Sequence, residues 1–209
     1  MAQRLPARPR RCQKNIRPHP RQEPDDGPMK FSETQLAGGY LIDLERCEDE
    51  RGFFARSWCA DEFSGRGLCP QFVQCNISFN PQPGTLRGLH YQADPHAEVK
   101  LVRCTRGSIH DVIVDLRADS PTFMRHEGFT LSAASRQALY VPKGFAHGFL
   151  TLEADTEVFY QVSTSYQPAS ERGVRWNDEA FSIDWPAPIL LVSEKDSQFP
   201  SFNSCSVSS

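Results

Sequence analysis

Nowhere in this 209-residue chain do about eighteen apolar residues follow one another, so no membrane-spanning helix is encoded. The start also lacks the apolar core of a secretory signal peptide, and the protein is expected to be cytoplasmic. Cysteine occurs seven times, an odd number, and no two are spaced as Cys-x-x-Cys, which argues against a disulfide scaffold and against a zinc ribbon. Reduced, mostly buried thiols are the expectation. An excess of positive charge is missing as well: 23 Lys and Arg stand against 26 Asp and Glu, a formal net charge of −3. A continuous basic face for nucleic acid is therefore not expected, and long acidic runs are absent too.

What is present suits one folded unit. With 39% hydrophobic and 11% aromatic residues the chain can bury one sizeable core, and its length favours a single domain over residues 29–200. Residues 1–28 are compositionally foreign to it: seven basic residues against three acids, six prolines and few large apolar side chains. Such a stretch cannot bury enough surface to offset its ordering entropy, so it reads as a disordered tail. Its surplus of four positive charges leaves −7 on the remainder, which is distinctly acidic. Met29 stands directly before the first patterned segment, so the tail is either an artefact of start-site choice or a basic interaction arm. The serine-rich end, residues 201–209, reads as flexible.

From Tyr40 onward the dominant period is two, with Gly, Pro and Asn marking turns at short intervals, which predicts an all-β fold. Residues 72–79 and 157–162 alternate, and residues 100–104 and 109–116 flank a turn at Arg106-Gly107. Sandwich or small-barrel strands have this appearance. One helix is expected over residues 60–63, capped by Ser57 and stopped near Gly65 or Gly67, with a further short turn at residues 177–181.

Several polar residues interrupt the apolar pattern. Gln74, Asn76 and Ser78 share one face of their strand, and Val73, Cys75, Ile77 and Phe79 the other. If the apolar set packs in the core, the polar set faces solvent or a lined cavity. Arg87-Gly88-Leu89-His90-Tyr91-Gln92 puts Arg and His around a glycine that permits a bulge, and Pro142-Lys143-Gly144-Phe145-Ala146-His147-Gly148-Phe149 sets a second His among aromatics. Lys100 opens one strand, and Tyr160 lies between Val158 and Val162. Each alone is more often structural, but together they can line one polar pocket in an apolar shell.

Those two motifs, with Arg51-Gly52-Phe53-Phe54, Asp115-Leu116-Arg117, Ser120-Pro121-Thr122-Phe123 and Trp176-Asn177-Asp178-Glu179, occur in an order that resembles the dTDP-4-dehydrorhamnose 3,5-epimerase family. The resemblance covers residues 29–200. It implies an all-β, cupin-type jelly-roll barrel with one or two short helices, and a cofactor-independent isomerase. The implied reaction inverts carbon 3, carbon 5 or both in a nucleotide-linked 4-keto-6-deoxy sugar, in deoxysugar or cell-surface polysaccharide synthesis. It further implies His90 as general base, Asp196 as its orienting carboxylate, Tyr160 as general acid, and Lys100 with His147 at the keto oxygen. Arg51, Gln74, Asn76, Arg87, Glu171 and Lys195 match substrate-binding positions, and Tyr166 the residue that stacks on the nucleotide base. The implied assembly is a homodimer exchanging strands, with no nucleic-acid or membrane partner.

Two positions depart from the family pattern. Arg56 stands where glutamate is common, reversing a charge that substrate or subunit groups would meet, and Cys75 stands where aspartate is common. By strand alternation Cys75 is expected to point into the core.

The residue types suit proton chemistry beside a ketone. Removing such a hydrogen needs a base and a group that stabilises the enolate, and an imidazole oriented by a carboxylate meets the first need. An ammonium and an imidazole meet the second, and a phenol on the far side of the ring can return the proton, particularly if nearby positive charge lowers its pKa. Two alternatives share the fold. A metal-dependent cupin normally needs a His-x-His pair, which Tyr91 and Gln92 break after His90, and Lys100 would repel a cation. A non-catalytic nucleotide-sugar-binding cupin would have no need of His90, Asp196 and Tyr160 together.

Overall fold

A computed structural model describes residues 28–202. The tail expected over residues 1–28 and the end expected over 201–209 fall almost wholly outside that range. Strands β1 (Lys30–Glu33), β2 (Tyr40–Asp43), β3 (Cys47–Asp49) and β4 (Gly52–Phe54) precede helix α1 (Ala60–Ser64). Then come β5 (Gln74–Asn80), β6 (Thr85–Gln92), β7 (Lys100–Arg106), β8 (Ser108–Asp115), β9 (His126–Ser132) and β10 (Ala138–Val141). Strands β11 (Phe145–Thr151), β12 (Thr156–Val162), β13 (Glu171–Gly173) and β14 (Leu191–Val192) lead to helix α2 (Glu194–Ser197).

Two large sheets face each other, ordered β1-β2-β10-β7-β12-β5 and β13-β6-β11-β8-β9, with β14 added parallel to β6. Within them β5-β12-β7-β10 lies opposite β6-β11-β8-β9, the strand exchange of a jelly roll. The expected all-β class with two short helices is what the chain adopts. No helix among the described residues is long and apolar enough to cross a membrane.

Apolar side chains sort into three layers. Val102, Cys104, Ile109, Ile113, Leu139, Phe145, Phe149 and Val158 fill the space between the sheets. Leu101 and Val99 point the other way, to pack with Phe63 of α1, so the first half of β7 is buried on both faces. Leu89, Val112, Val114 and Ala146 cover the outer face of the second sheet beneath Val174, Phe181 and Trp185. Truncating the fully buried Phe63 to Ala is expected to cost about 3–5 kcal/mol.

Three expectations change. Helix α1 runs through residues 60–63 as expected, but its N-cap is Cys59, whose side chain makes no capping bond, and not Ser57. Residues 177–181 form turns, as expected, and the second short α-helix is α2. The apolar face of β5 is not core: Val73 is 60% and Ile77 65% exposed, and Cys75 is exposed as well. Strand β5 is the edge of its sheet, where only the inward face is covered. Of the five described cysteines only Cys104 is buried, so the side chains are not, as expected, mostly hidden.

Candidate active site

The inward faces of both sheets meet in two adjoining cavities of about 670 and 310 Å³, with His90, Lys100 and Tyr160 lining both. One sheet contributes His90 from β6 and His147 from β11, paired across the ladder. The facing sheet contributes Lys100 from β7 and Tyr160 from β12, two positions apart in register and so on the same face. A small ligand placed between them has imidazole on one side and phenol on the other.

A bulge makes this possible. Between β6 and β11 the register moves from His147–His90 to Phe149–Arg87, so three steps along β6 match two along β11. Residues three apart would ordinarily face opposite ways; the extra residue turns Arg87 and His90 to the same side. Gly88 takes up the distortion at φ +127°, where an added Cβ would lie 2.6 Å from Gly148 Cα.

Asp196 arrives from the remote C-terminal segment. Helix α2 begins at Ser193, whose hydroxyl accepts the backbone N–H of Asp196 at 3.1 Å. The buried carboxylate then accepts the Gly88 N–H at 3.0 Å and faces His90 Nε2 at 2.7 Å. Burial pushes the Asp196 pKa up, but the His90 contact and the Gly88 N–H outweigh it and hold the group below the usual carboxylate range. An ionised Asp196 keeps the proton on Nε2 and leaves Nδ1 as the basic nitrogen.

The facing wall is as tightly held. Lys100 is buried, donates to the His90 carbonyl at 3.0 Å and lies 3.3 Å from Glu98. Burial lowers its pKa, and the charge of Glu98 opposes that. His147 Nε2 lies 3.0 Å from buried Asp111, so only its Nδ1 edge is left for a ligand. At Tyr160 burial raises the pKa, and the nearby Arg87 charge offsets this only in part. The phenol therefore stays protonated, as an acid must be before it donates. Arg87 is itself held by Asn80 at 2.7 Å.

The smaller cavity opens onto a hydrogen-bonded chain. Gln74 donates to Asn76 at 2.9 Å and accepts the Tyr166 N–H at 3.3 Å. Tyr166 donates its hydroxyl to Glu171 at 2.6 Å, and Glu171 pairs with Lys195. Lys195 holds the Glu171 carboxyl below its ordinary range against the upward push of burial. The exposed Tyr166 ring leaves a flat apolar surface at the mouth. Among the described residues no group of three or more His, Cys, Asp or Glu side chains is placed to hold a metal ion.

Sequence reasoning named most of these residues and missed Glu98, Asp111, Asn80 and Ser193. Signals for three of them existed. Glu98 precedes Lys100 by two positions and shares its face; Asp111 is a charge inside an apolar strand; Ser193 begins the Ser-x-x-Asp pattern of a helix cap.

The family profile described as dTDP-4-dehydrorhamnose 3,5-epimerase matches residues 33–204. The chain belongs to that family. It is 45% identical over 178 residues to the dTDP-4-dehydrorhamnose 3,5-epimerase of Pseudomonas aeruginosa, covering 83% of this chain and 96% of that one. The crystal structure of the Bacillus anthracis enzyme, with TDP and pyrophosphate bound, superposes with a TM-score of 0.81 at 43% identity over 84% of this chain and all of that one. A 3'-monoepimerase from Streptomyces bikiniensis in complex with dTDP-quinovose is 32% identical, with a TM-score of 0.75 over 80% and 85% of the two chains.

Two family positions behave differently from the rest. Arg51 sits at the turn of the β3–β4 hairpin, largely exposed and paired with Asp49, and it lines neither cavity of this epimerase-family chain. Arg56, where the family commonly has glutamate, pairs with Glu62 of α1 at 3.0 Å. Its reversed charge is thus met inside the subunit, away from both cavities.

Proposed function

We propose that this protein epimerises a nucleoside-diphosphate-linked 4-keto-6-deoxy sugar, of the dTDP-4-dehydro-6-deoxyglucose type, by proton removal and return beside the ketone. The observation that carries this reading is the placement of the His90–Asp196 pair on one sheet and of Lys100 and Tyr160 on the sheet facing it, around one space. His90 Nδ1 takes the hydrogen from the carbon next to the ketone, and Asp196 supports the imidazolium that results. Negative charge then builds on the former keto oxygen, where the Lys100 ammonium and the His147 edge stabilise it. Tyr160 returns a proton from the opposite face, which inverts the carbon. No electron leaves or enters the sugar, so no redox cofactor is needed, and Lys100 with His147 supplies the stabilisation of the developing oxyanion.

The outer chain of residues serves the nucleotide. Tyr166 offers its ring to the base, and Gln74, Asn76 and Glu171 offer hydrogen bonds. Arg87 and Lys195 provide positive charge for the diphosphate within an acidic protein. Arg51 reaches a site only in the partner subunit of a homodimer, a reading supported by its distance from both cavities here and by the uncovered apolar face of β5. A cytoplasmic location fits a nucleotide-sugar substrate.

The test is incubation in heavy water with dTDP-4-keto-6-deoxyglucose and NMR at ring positions 3 and 5. Deuterium uptake with inversion is expected, and its pattern shows whether one carbon or both are turned. Absence of exchange across a small panel of such sugar nucleotides overturns the reading.

A further inference from the structure

Glu98 is an expensive residue to keep where it is. Its side chain is only 6% accessible, and one carboxylate oxygen, Oε2, has no hydrogen-bond partner among the described residues. A buried carboxylate with so little compensation works against folding. Among the described residues the one ion pair it makes is with Lys100, at 3.3 Å. It precedes β7, and no ladder, cap or turn bond involves its side chain among the described residues. A group retained at that cost, with one polar partner inside a reactive cavity, is explained by what it does for the partner.

Lys100 shows what that is. An ammonium carries three N–H groups. One is given to the His90 carbonyl at 3.0 Å, and the pairing with Glu98 takes up a second direction. The third is left for the space that Lys100 lines together with His90 and Tyr160. Without Glu98 the four-carbon stem would have one fixed contact and free rotation about it. The negative charge also offsets the burial that weakens the Lys100 ammonium.

We propose that Glu98 is a positioning residue, which fixes the Lys100 ammonium between the His90 carbonyl and the oxygen that becomes the enolate. This rests on the function proposed above and deepens it. The contact is indirect: Glu98 acts through Lys100 and does not touch the reacting carbon.

The experiment compares Glu98→Met, Glu98→Ala, Glu98→Gln and Lys100→Met with the wild-type chain, using dTDP-4-keto-6-deoxyglucose and NMR-detected exchange. Misplacing a catalytic group by an ångström costs up to ~10²-fold, so Met or Ala at position 98, whichever folds, is expected to lower kcat by at least about tenfold with KM within about threefold. Glu98→Gln keeps an acceptor oxygen at the same reach and is expected to recover most of kcat. A Met or Ala variant with wild-type kcat overturns the proposal, and so does a Gln variant no better than Met. If Lys100→Met is inactive while Glu98→Met is not, Glu98 alone has been misassigned. If the wild-type chain exchanges nothing, both readings fall.

Discussion

The molecule pairs charges in two regions that differ in burial, and the contrast separates chemistry from grip. At the inner wall, Asp196, Glu98 and Asp111 have side chains 5%, 6% and 0% accessible and hold His90, Lys100 and His147 in single orientations. At the mouth, Lys195 and Glu171 are 55% and 20% accessible. Water screens the outer pair, which is worth about 1 kcal/mol or less, whereas a buried partner removed leaves a charge with nothing to meet it. Preorganised dipoles act on charge development only where they cannot relax, so the inner wall should control rate and the mouth affinity.

The largest effect should come from the inner wall itself. His90→Ala is expected to abolish deuterium uptake, and Asp196→Asn to lower kcat by ~10²–10⁴ with little change in KM. An Asp196→Asn variant with altered KM and intact kcat would place the pair on the binding side of the comparison. Lys100→Met should cost ~10²–10³ in kcat. Next, Tyr160→Phe should preserve exchange on the His90 face while impairing inversion; full inversion by this variant assigns the returning proton to another group.

A pH test sharpens the same contrast. The Asp196 pKa is lowered in the folded state, so the unfolded chain binds more protons as pH falls past the ordinary carboxylate value of about 4. The stability Asp196 contributes is therefore fully present above that value and is lost as pH drops toward the lowered one. Melting curves should show the gap between wild type and Asp196→Asn closing as the solution is acidified from neutral pH through that range. A gap independent of pH would mean that the His90 contact does not hold the carboxylate in its charged form. The smallest effect is expected at the mouth, where Lys195→Ala should raise KM by about fivefold or less and leave kcat nearly unchanged. A kcat loss comparable to that of Lys100→Met would erase the distinction between the two regions.

Much of this was legible beforehand, and the exceptions share a cause. The two-residue period marks the strand at residues 72–79, yet Cys75, expected in the core, points outward with Val73 and Ile77, and Gln74 and Asn76 point inward. Alternation says that two faces exist and not which one is covered. The motif around Gly88 announced a bulge, but only the register with β11 shows that Arg87 and His90 are thereby turned to the same side. The sequence puts positive charge within reach of Tyr160, but burial, which composition does not report, outweighs it. Arg51 belongs to a conspicuous motif and yet lies outside the cavities of its own subunit.

By itself the sequence determined the all-β class, the family and the kinds of side chain available for proton transfer, because periodicity and motif order are properties of the chain in one dimension. The tertiary structure decided which of those side chains share a space. Asp196 meets His90 across 106 positions, and Glu98 and Asp111 become partners of Lys100 and His147 only once strands are in register. Reach, burial and the dielectric around a charge depend on neighbours distant in sequence, and those neighbours exist only after folding.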